Sequence, residues 1–190
     1  NAAAIDIGGD YDKIKDYLET NGLKLKKILL THGHYDHFGG TADAAIDSGA
    51  EIFISGNDSH MISSRMDSLA DFISNESFKP ITEYKEISEG SEIILDELKF
   101  KVIETPGHTK GSVCYLCNDY IFTGDTLFAL SMGRTDFPGG NPSEMHKSLL
   151  RLAEIKEDLN VCPGHNETTT LSFEKRNNPY LKENPYEDLI

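Results

Sequence analysis

Apolar and polar positions follow two different periods along this chain, and the alternation between them outlines an α/β fold. Short apolar runs bounded by polar turns predict strands at 2–5, 26–30, 51–55, 86–88, 93–95, 98–104, 111–117, 120–123 and 160–162. Helical spacing predicts a helix over 11–20, where Ile14, Tyr17 and Leu18 share a face and Asn21-Gly22 ends the run. Two more helices are predicted over 42–48, closed by Gly49, and over 142–155. In the latter, Asn141 is the expected cap, Pro142 takes the first helical position, and Met145, Leu149 and Leu152 form one stripe. Residues 57–75 are polar with mixed periodicity and read as helical, and the stretch around Pro179 and Pro185 reads as a short helix and an extended tail.

The candidate chemistry lies where strands end. In Thr31-His32-Gly33-His34-Tyr35-Asp36-His37, four metal-ligand side chains fall within six positions, directly after an apolar strand. In α/β sheets the loops leaving buried strands present the reactive groups. Three later loops repeat that placement: His108 in Thr105-Pro106-Gly107-His108-Thr109, Asp125 in Gly124-Asp125-Thr126, and His165 in Pro163-Gly164-His165. The remaining histidines, His60 and His146, sit in segments read as helical and are expected at the surface. Neutral imidazole and carboxylate suit zinc, iron or manganese. The set is too large for one tetrahedral ion and fits two ions sharing a carboxylate. Histidine and aspartate with water completing the shell is the catalytic kind of site, whereas structural zinc more often uses cysteine.

Composition narrows the picture. A chain of 190 residues suffices for a core, and no linker or repeat divides 1–190, so a single domain is expected. The first residue is Asn1 rather than Met and Ala2 already opens a predicted strand, so some N-terminal residues are expected to precede it. The formal charge of −14 argues against a nucleic-acid partner. No stretch approaches the roughly 18–20 apolar residues that span a bilayer. Cys114, Cys117 and Cys162 form no disulfide framework and suit a reducing compartment, which makes a cytoplasmic location the expectation. Cys114 and Cys117 lie on a predicted strand, where positions three apart face opposite sides, so a shared redox or zinc role is disfavoured.

These motifs, with Phe122-Thr123-Gly124-Asp125-Thr126-Leu127-Phe128, resemble the metallo-β-lactamase-fold hydrolases, specifically their glyoxalase II-like (hydroxyacylglutathione hydrolase-like) branch. Ile5-Asp6-Ile7-Gly8-Gly9 is similar to that family's early Asp-Pro-Gly turn, with Ile7 in place of proline. The resemblance implies a four-layer αβ/βα sandwich and two divalent metal ions, zinc foremost, with iron or manganese as alternatives. One ion would be held by His32, His34 and His108, the other by Asp36, His37 and His165, with Asp125 bridging. It further implies hydrolysis of a small-molecule thioester, S-lactoylglutathione or a related hydroxyacyl thioester. A hydroxide between the ions attacks the carbonyl, and Asp36 orients it.

The same resemblance offers Arg134 and Tyr115 as substrate contacts; Lys175, beside Arg176, is a further candidate by its charge alone, with a solvated surface position as the alternative. For Arg134 the alternative is an anchor of its glycine-bounded loop, and for Tyr115 simple packing. Gly133-Arg134-Thr135-Asp136-Phe137-Pro138-Gly139-Gly140 is similar both to compact bacterial relatives of glyoxalase II and to persulfide dioxygenases of the same fold. A mononuclear iron oxidoreductase is therefore the competing reading, while the ending Pro163-Gly164-His165-Asn166-Glu167-Thr168-Thr169 favours the hydrolase. A β-lactamase is disfavoured, because its common zinc enzymes use cysteine where Asp125 stands. The chain has little room for the C-terminal extension that contacts glutathione in full-length glyoxalase II, and its acidic balance offers no steering for an anionic thiol conjugate.

Overall fold

The computed structural model describes residues 1–73 and 78–182. Strands β1 (Ala2–Ile5), β2 (Leu25–Leu29), β3 (Glu51–Ser55) and β4 (Lys85–Ile87) form an all-parallel sheet in that order. Helices α1 (Tyr11–Thr20), α2 (Tyr35–Phe38), α3 (Thr41–Ser48) and α4 (Ala70–Ile73) lie in its connections. The second sheet has the order β12-β11-β8-β7-β6-β5. It comprises β5 (Glu92–Leu95), β6 (Leu98–Glu104), β7 (Val113–Cys117), β8 (Tyr120–Gly124), β11 (Asn160–Pro163) and β12 (Thr169–Thr170). A two-stranded ribbon, β9 (Leu127–Phe128) and β10 (Ser131–Met132), and helices α5 (Pro142–Ala153) and α6 (Leu171–Asn177) complete the set.

Alternation along the strands builds the layers, because neighbouring side chains point to opposite faces. Ile28, Leu30, Ile52 and Ile54 pack with Leu18 and Ala44 beneath α1 and α3. Leu29 and Phe53, between them in sequence, turn the other way onto Phe100, Val102, Val113 and Tyr115 of the second sheet. That sheet's far face, with Ile103, Cys114, Ile121 and Val161, packs on Met145, Leu149 and Leu152 of α5 and Leu171 of α6. Helices, sheet, sheet, helices: the fold is the four-layer αβ/βα sandwich. Ile28-Leu29-Leu30 is apolar without interruption because both faces of its sheet are covered. Cys114 and Cys117 belong to different cores, on opposite faces of β7, as their spacing predicts.

Strand direction gathers the loops. Strand β7 is antiparallel to both β6 and β8, and β11 is parallel to β8, so β6, β8 and β11 all point the same way. The loops that follow them, carrying His108, Asp125 and His165, leave the sheet at one edge.

Asn141 caps α5 as expected: its Oδ1 accepts from the backbone N–H of Ser143 at 3.0 Å and of Glu144 at 3.2 Å. Asn141→Ala should lower unfolding stability by about 1 kcal/mol, visible as an earlier chemical-denaturation midpoint with an unchanged slope.

The helix expected over 57–75 is a correction. The described part holds a single 3-10 turn at Met61–Ser63 and the one-turn α4; residues 74 and 75 lie outside the described residues. Here serine hydroxyls compete for the backbone: Ser59 donates to the Gly56 carbonyl, Ser68 to that of Arg65, and Ser64 accepts from the Asp67 N–H. Leu69 then takes φ +61°, which no helix continues through. At the C-terminus a short helix forms as expected, followed by a 3-10 turn at Pro179–Leu181; Pro185 lies outside the described residues.

Candidate metal centre

The loop leaving β2 carries the first four groups. His32 and His34 are buried, and the single turn α2 presents Asp36 and His37. Gly107, with φ +144°, lets the next loop pass beneath α5, since a Cβ there would lie 2.4 Å from the Met145 Cα. His108 thereby enters beside His34, with Nε2 2.9 Å from His34 Nδ1. His165 enters from the loop after β11, its Nε2 3.3 Å from His37 Nε2 and 3.4 Å from Asp36 Oδ2. Three groups result whose ligand atoms lie within 4.8 Å of one another: the two expected triads, His32/His34/His108 and Asp36/His37/His165, and Asp6/His32/His37, which joins them. Asp125 stands between the two expected triads: its carboxylate lies 3.3 Å from His37, 3.5 Å from His108 and 3.7 Å from His165. The structure brings all seven predicted residues together.

A further layer aims the rings. Asp6 Oδ2 bonds His37 Nδ1 at 2.8 Å and accepts from Thr31 Oγ1 at 2.7 Å, while Asp6 Oδ1 accepts from the Thr31 N–H. Thr31 Oγ1 is also 3.0 Å from His32 Nδ1, and the Arg134 carbonyl accepts from His108 Nδ1 at 2.7 Å. With these nitrogens fixed, Nε2 of His32, His37 and His108 faces the centre, the arrangement that orients metal-binding imidazoles. Asp58, buried, accepts from the Gly33 and Gly111 N–H groups and the Thr109 hydroxyl, tying the first two ligand loops together; burial pushes its pKa up.

The donor set fits metal ions. His32 Nε2, His34 Nε2 and Asp125 Oδ1 are buried with no hydrogen-bond partner, although such groups are normally satisfied. Burial and the neighbouring imidazoles push His32 well below its ordinary range and His34 to about 3, so both rings are neutral, as ligands must be. At His37 burial works downward, but Asp6 and Asp125 outweigh it and hold the ring at about 11. Burial would raise Asp125, yet the His37 hydrogen bond and the nearby imidazoles bring it down. The carboxylates that draw a proton onto His37 would draw a divalent cation in its place.

A cleft of about 710 Å³ opens over this floor. One wall is the β9–β10 ribbon, whose Phe128 ring lies 6.1 Å from that of His165. Asn178 Nδ2 donates to the Phe128 and Ser131 carbonyls, and the fully buried Glu174 accepts from the Leu130 N–H, so α6 and the turn after it clamp this wall.

Of the expected substrate contacts, Arg134 lines the cleft, but Asp136 binds its guanidinium through two 2.7 Å hydrogen bonds and Phe137 stacks under it at 3.8 Å. Tyr115 is a correction: it is wholly buried between the sheets and donates to the Leu30 carbonyl at 2.7 Å. Lys175 is another, its ammonium being turned to the Ile155 carbonyl, while the neighbouring Arg176 bonds the Ser172 carbonyl. Tyr115→Phe should therefore leave the KM for a thioester within about twofold and cost about 1 kcal/mol of stability; a rise in KM without loss of stability would restore it as a contact. Asp6, Thr31 and Asp58 are the residues that sequence reasoning did not single out. The resemblance of the Asp6 turn to the Asp-Pro-Gly turn was the available signal for the first; Asp58 offered none.

The sequence profile of the metallo-beta-lactamase superfamily matches residues 5–165, and the chain belongs to that superfamily. Within it, hydroxyacylglutathione hydrolase GloC of Haemophilus influenzae is 35% identical over 187 residues, spanning 95% of this chain and 87% of the relative. Among solved structures, BLEG-1 B3 metallo-beta-lactamase matches with a TM-score of 0.89 at 27% identity, covering 95% of this chain and 88% of that one. TTHA1623, solved in a di-iron-bound form, matches with a TM-score of 0.83 at 33% identity over 93% and 88%. The chain is a metallo-beta-lactamase superfamily hydrolase with histidine-rich candidate metal sites. No helix among the described residues is long and apolar enough to cross a membrane.

Proposed function

We propose that the protein is a dinuclear metal-dependent thioester hydrolase acting on S-lactoylglutathione or a related hydroxyacyl thioester. The observation that carries this reading is Asp125 between two ligand triads, within 3.7 Å of a histidine from each. His32, His34 and His108 would hold one divalent ion, Asp36, His37 and His165 the other, and Asp125 both, with zinc foremost and iron or manganese as alternatives. When bound, such a pair polarises a carbonyl oxygen and brings water close to ionisation at neutral pH.

The chain's own groups do the rest. Asp36 is the partly exposed carboxylate at the cleft floor, placed to accept a hydrogen bond from the reacting water and turn its lone pair toward the carbonyl carbon. Asp6 and the Arg134 carbonyl keep His37 and His108 in fixed tautomers, so no ring reorients during turnover. Phe128 and Phe137 shield the floor from bulk water. The 35% identity to a hydroxyacylglutathione hydrolase supports the thioester reaction, and the di-iron relative supports two ions in such a site. The acidic chain fits a small-molecule substrate rather than nucleic acid, and three free cysteines fit the cytoplasm.

Elemental analysis beside a thioester assay run in an oxygen electrode tests the proposal. The expected result is two metal equivalents per chain and thiol release without oxygen uptake. One iron per chain with oxygen consumed on glutathione persulfide would replace it with the mononuclear oxidoreductase.

A further inference from the structure

Above its metal-site floor, the cleft is walled by Leu69, Phe72, Phe128, Met132, Phe137 and Pro138. Apart from the floor residues, only Ser131 and Arg134 add polar groups among the described lining. Phe72 stands 86% exposed at this lip, where its ring continues the apolar wall of the cleft instead of standing alone on the surface. Leu69, which opens the same wall, sits at φ +61°, a backbone conformation that a branched apolar side chain rarely adopts. The opposite wall is held in place by Glu174 and Asn178, so the apolar surface exists before a ligand arrives.

Charge points the same way. Arg134 is the one lysine or arginine among the described lining residues, and its guanidinium is engaged by Asp136 and Phe137. Residues 74–77 and 183–190, outside the described residues, contain no lysine or arginine at all. A tripeptide thiol such as glutathione carries two carboxylates and one ammonium. Lying along the walls away from the metal-site floor, its carboxylates would lose water without gaining a free cation from the described lining, an unfavourable exchange. A hydrocarbon group gains on entry with every methylene it buries.

We infer that the cleft selects thioesters carrying an uncharged aliphatic or aromatic group over those carrying an anionic peptide. This deepens the thioester reading and rests on it.

The test uses the metal-loaded full chain and two series of thioesters. One lengthens the acyl group from acetyl to octanoyl on the uncharged thiol N-acetylcysteamine; the other keeps a lactoyl group and lengthens an alkyl thiol. S-lactoylglutathione is the reference. In at least one series kcat/KM should rise about fourfold per added methylene until the walls are covered, and the longest members should exceed S-lactoylglutathione. The series that rises tells whether the hydrocarbon sits on the acyl or the leaving side. Phe72→Ser, at an exposed position that folding does not need, should cut the slope of that series by about half with metal content unchanged. Flat series, with S-lactoylglutathione hydrolysed at least as fast, would overturn the inference and leave the thioester reading intact. A slope that persists undiminished in Phe72→Ser and Phe128→Ser alike would overturn it too. No turnover of any thioester by fully loaded protein would overturn both readings.

Discussion

Asp125→Ala should lower thioester turnover by roughly 10³-fold or more and leave the protein with at most one metal equivalent per chain. The reason is positional. In the proposed assignment every other ligand would serve one ion, whereas the Asp125 carboxylate reaches His108 on one side and His37 and His165 on the other. Removing it takes away the anion that would sit between two cations and leaves their mutual repulsion uncompensated. The fold should survive, because the Asp125 side chain meets imidazoles of the site rather than the hydrophobic cores. Asp125→Asn separates charge from shape, since a neutral amide fills the space but balances neither ion. Elemental analysis and steady-state kinetics on both variants give the answer. Two retained equivalents with near-normal turnover in the alanine variant would remove the bridging role and the dinuclear reading with it.

The convergence of the candidate ligands was legible in the sequence because this fold delivers each group the same way. A strand ends, the chain turns, and the first residues of the turn carry the chemistry; the apolar run before His32 and the glycines before His108, Asp125 and His165 mark those ends. The α5 boundary was legible for an equally local reason, a capping asparagine followed by proline. Tyr115 was not. Strand β7 is covered on both faces, so alternation assigns the tyrosine to a side without saying whether that side is cleft, helix or opposing sheet. Asp58 was hidden by distance: its partners come from loops 25 and 53 positions away, and nothing in its neighbours distinguishes it from a solvated aspartate. The ribbon that walls the cleft has strands of two residues each, too short to register any period.

Asp6 carries the second large effect. Its two carboxylate oxygens serve three partners: Oδ2 meets His37 Nδ1 and the Thr31 hydroxyl, and Oδ1 meets the Thr31 N–H. Asparagine at this position has one oxygen to offer. If that oxygen takes the Oδ2 place, the amide NH2 faces the Thr31 N–H; if it takes the other, the NH2 faces His37 Nδ1. With Nδ1 protonated, as metal binding through Nε2 requires, one donor–donor contact is unavoidable, and in both orientations the negative charge that makes His37 a strong base is gone. Backbone strain does not confuse the comparison, because Asp6 sits at φ +53° and asparagine tolerates that region as well as aspartate does. Asp6→Asn should therefore fold normally yet bind metal about 10–100-fold more weakly, with the loss falling on the ion held by Asp36, His37 and His165. Chelator competition read in two phases measures this directly: the tighter phase, from the His32/His34/His108 triad, should move least. Turnover should fall together with occupancy of the weakened triad and recover at saturating metal. Equal weakening of both phases would place the effect of Asp6 in Thr31 and the His32 ring behind it instead of in His37.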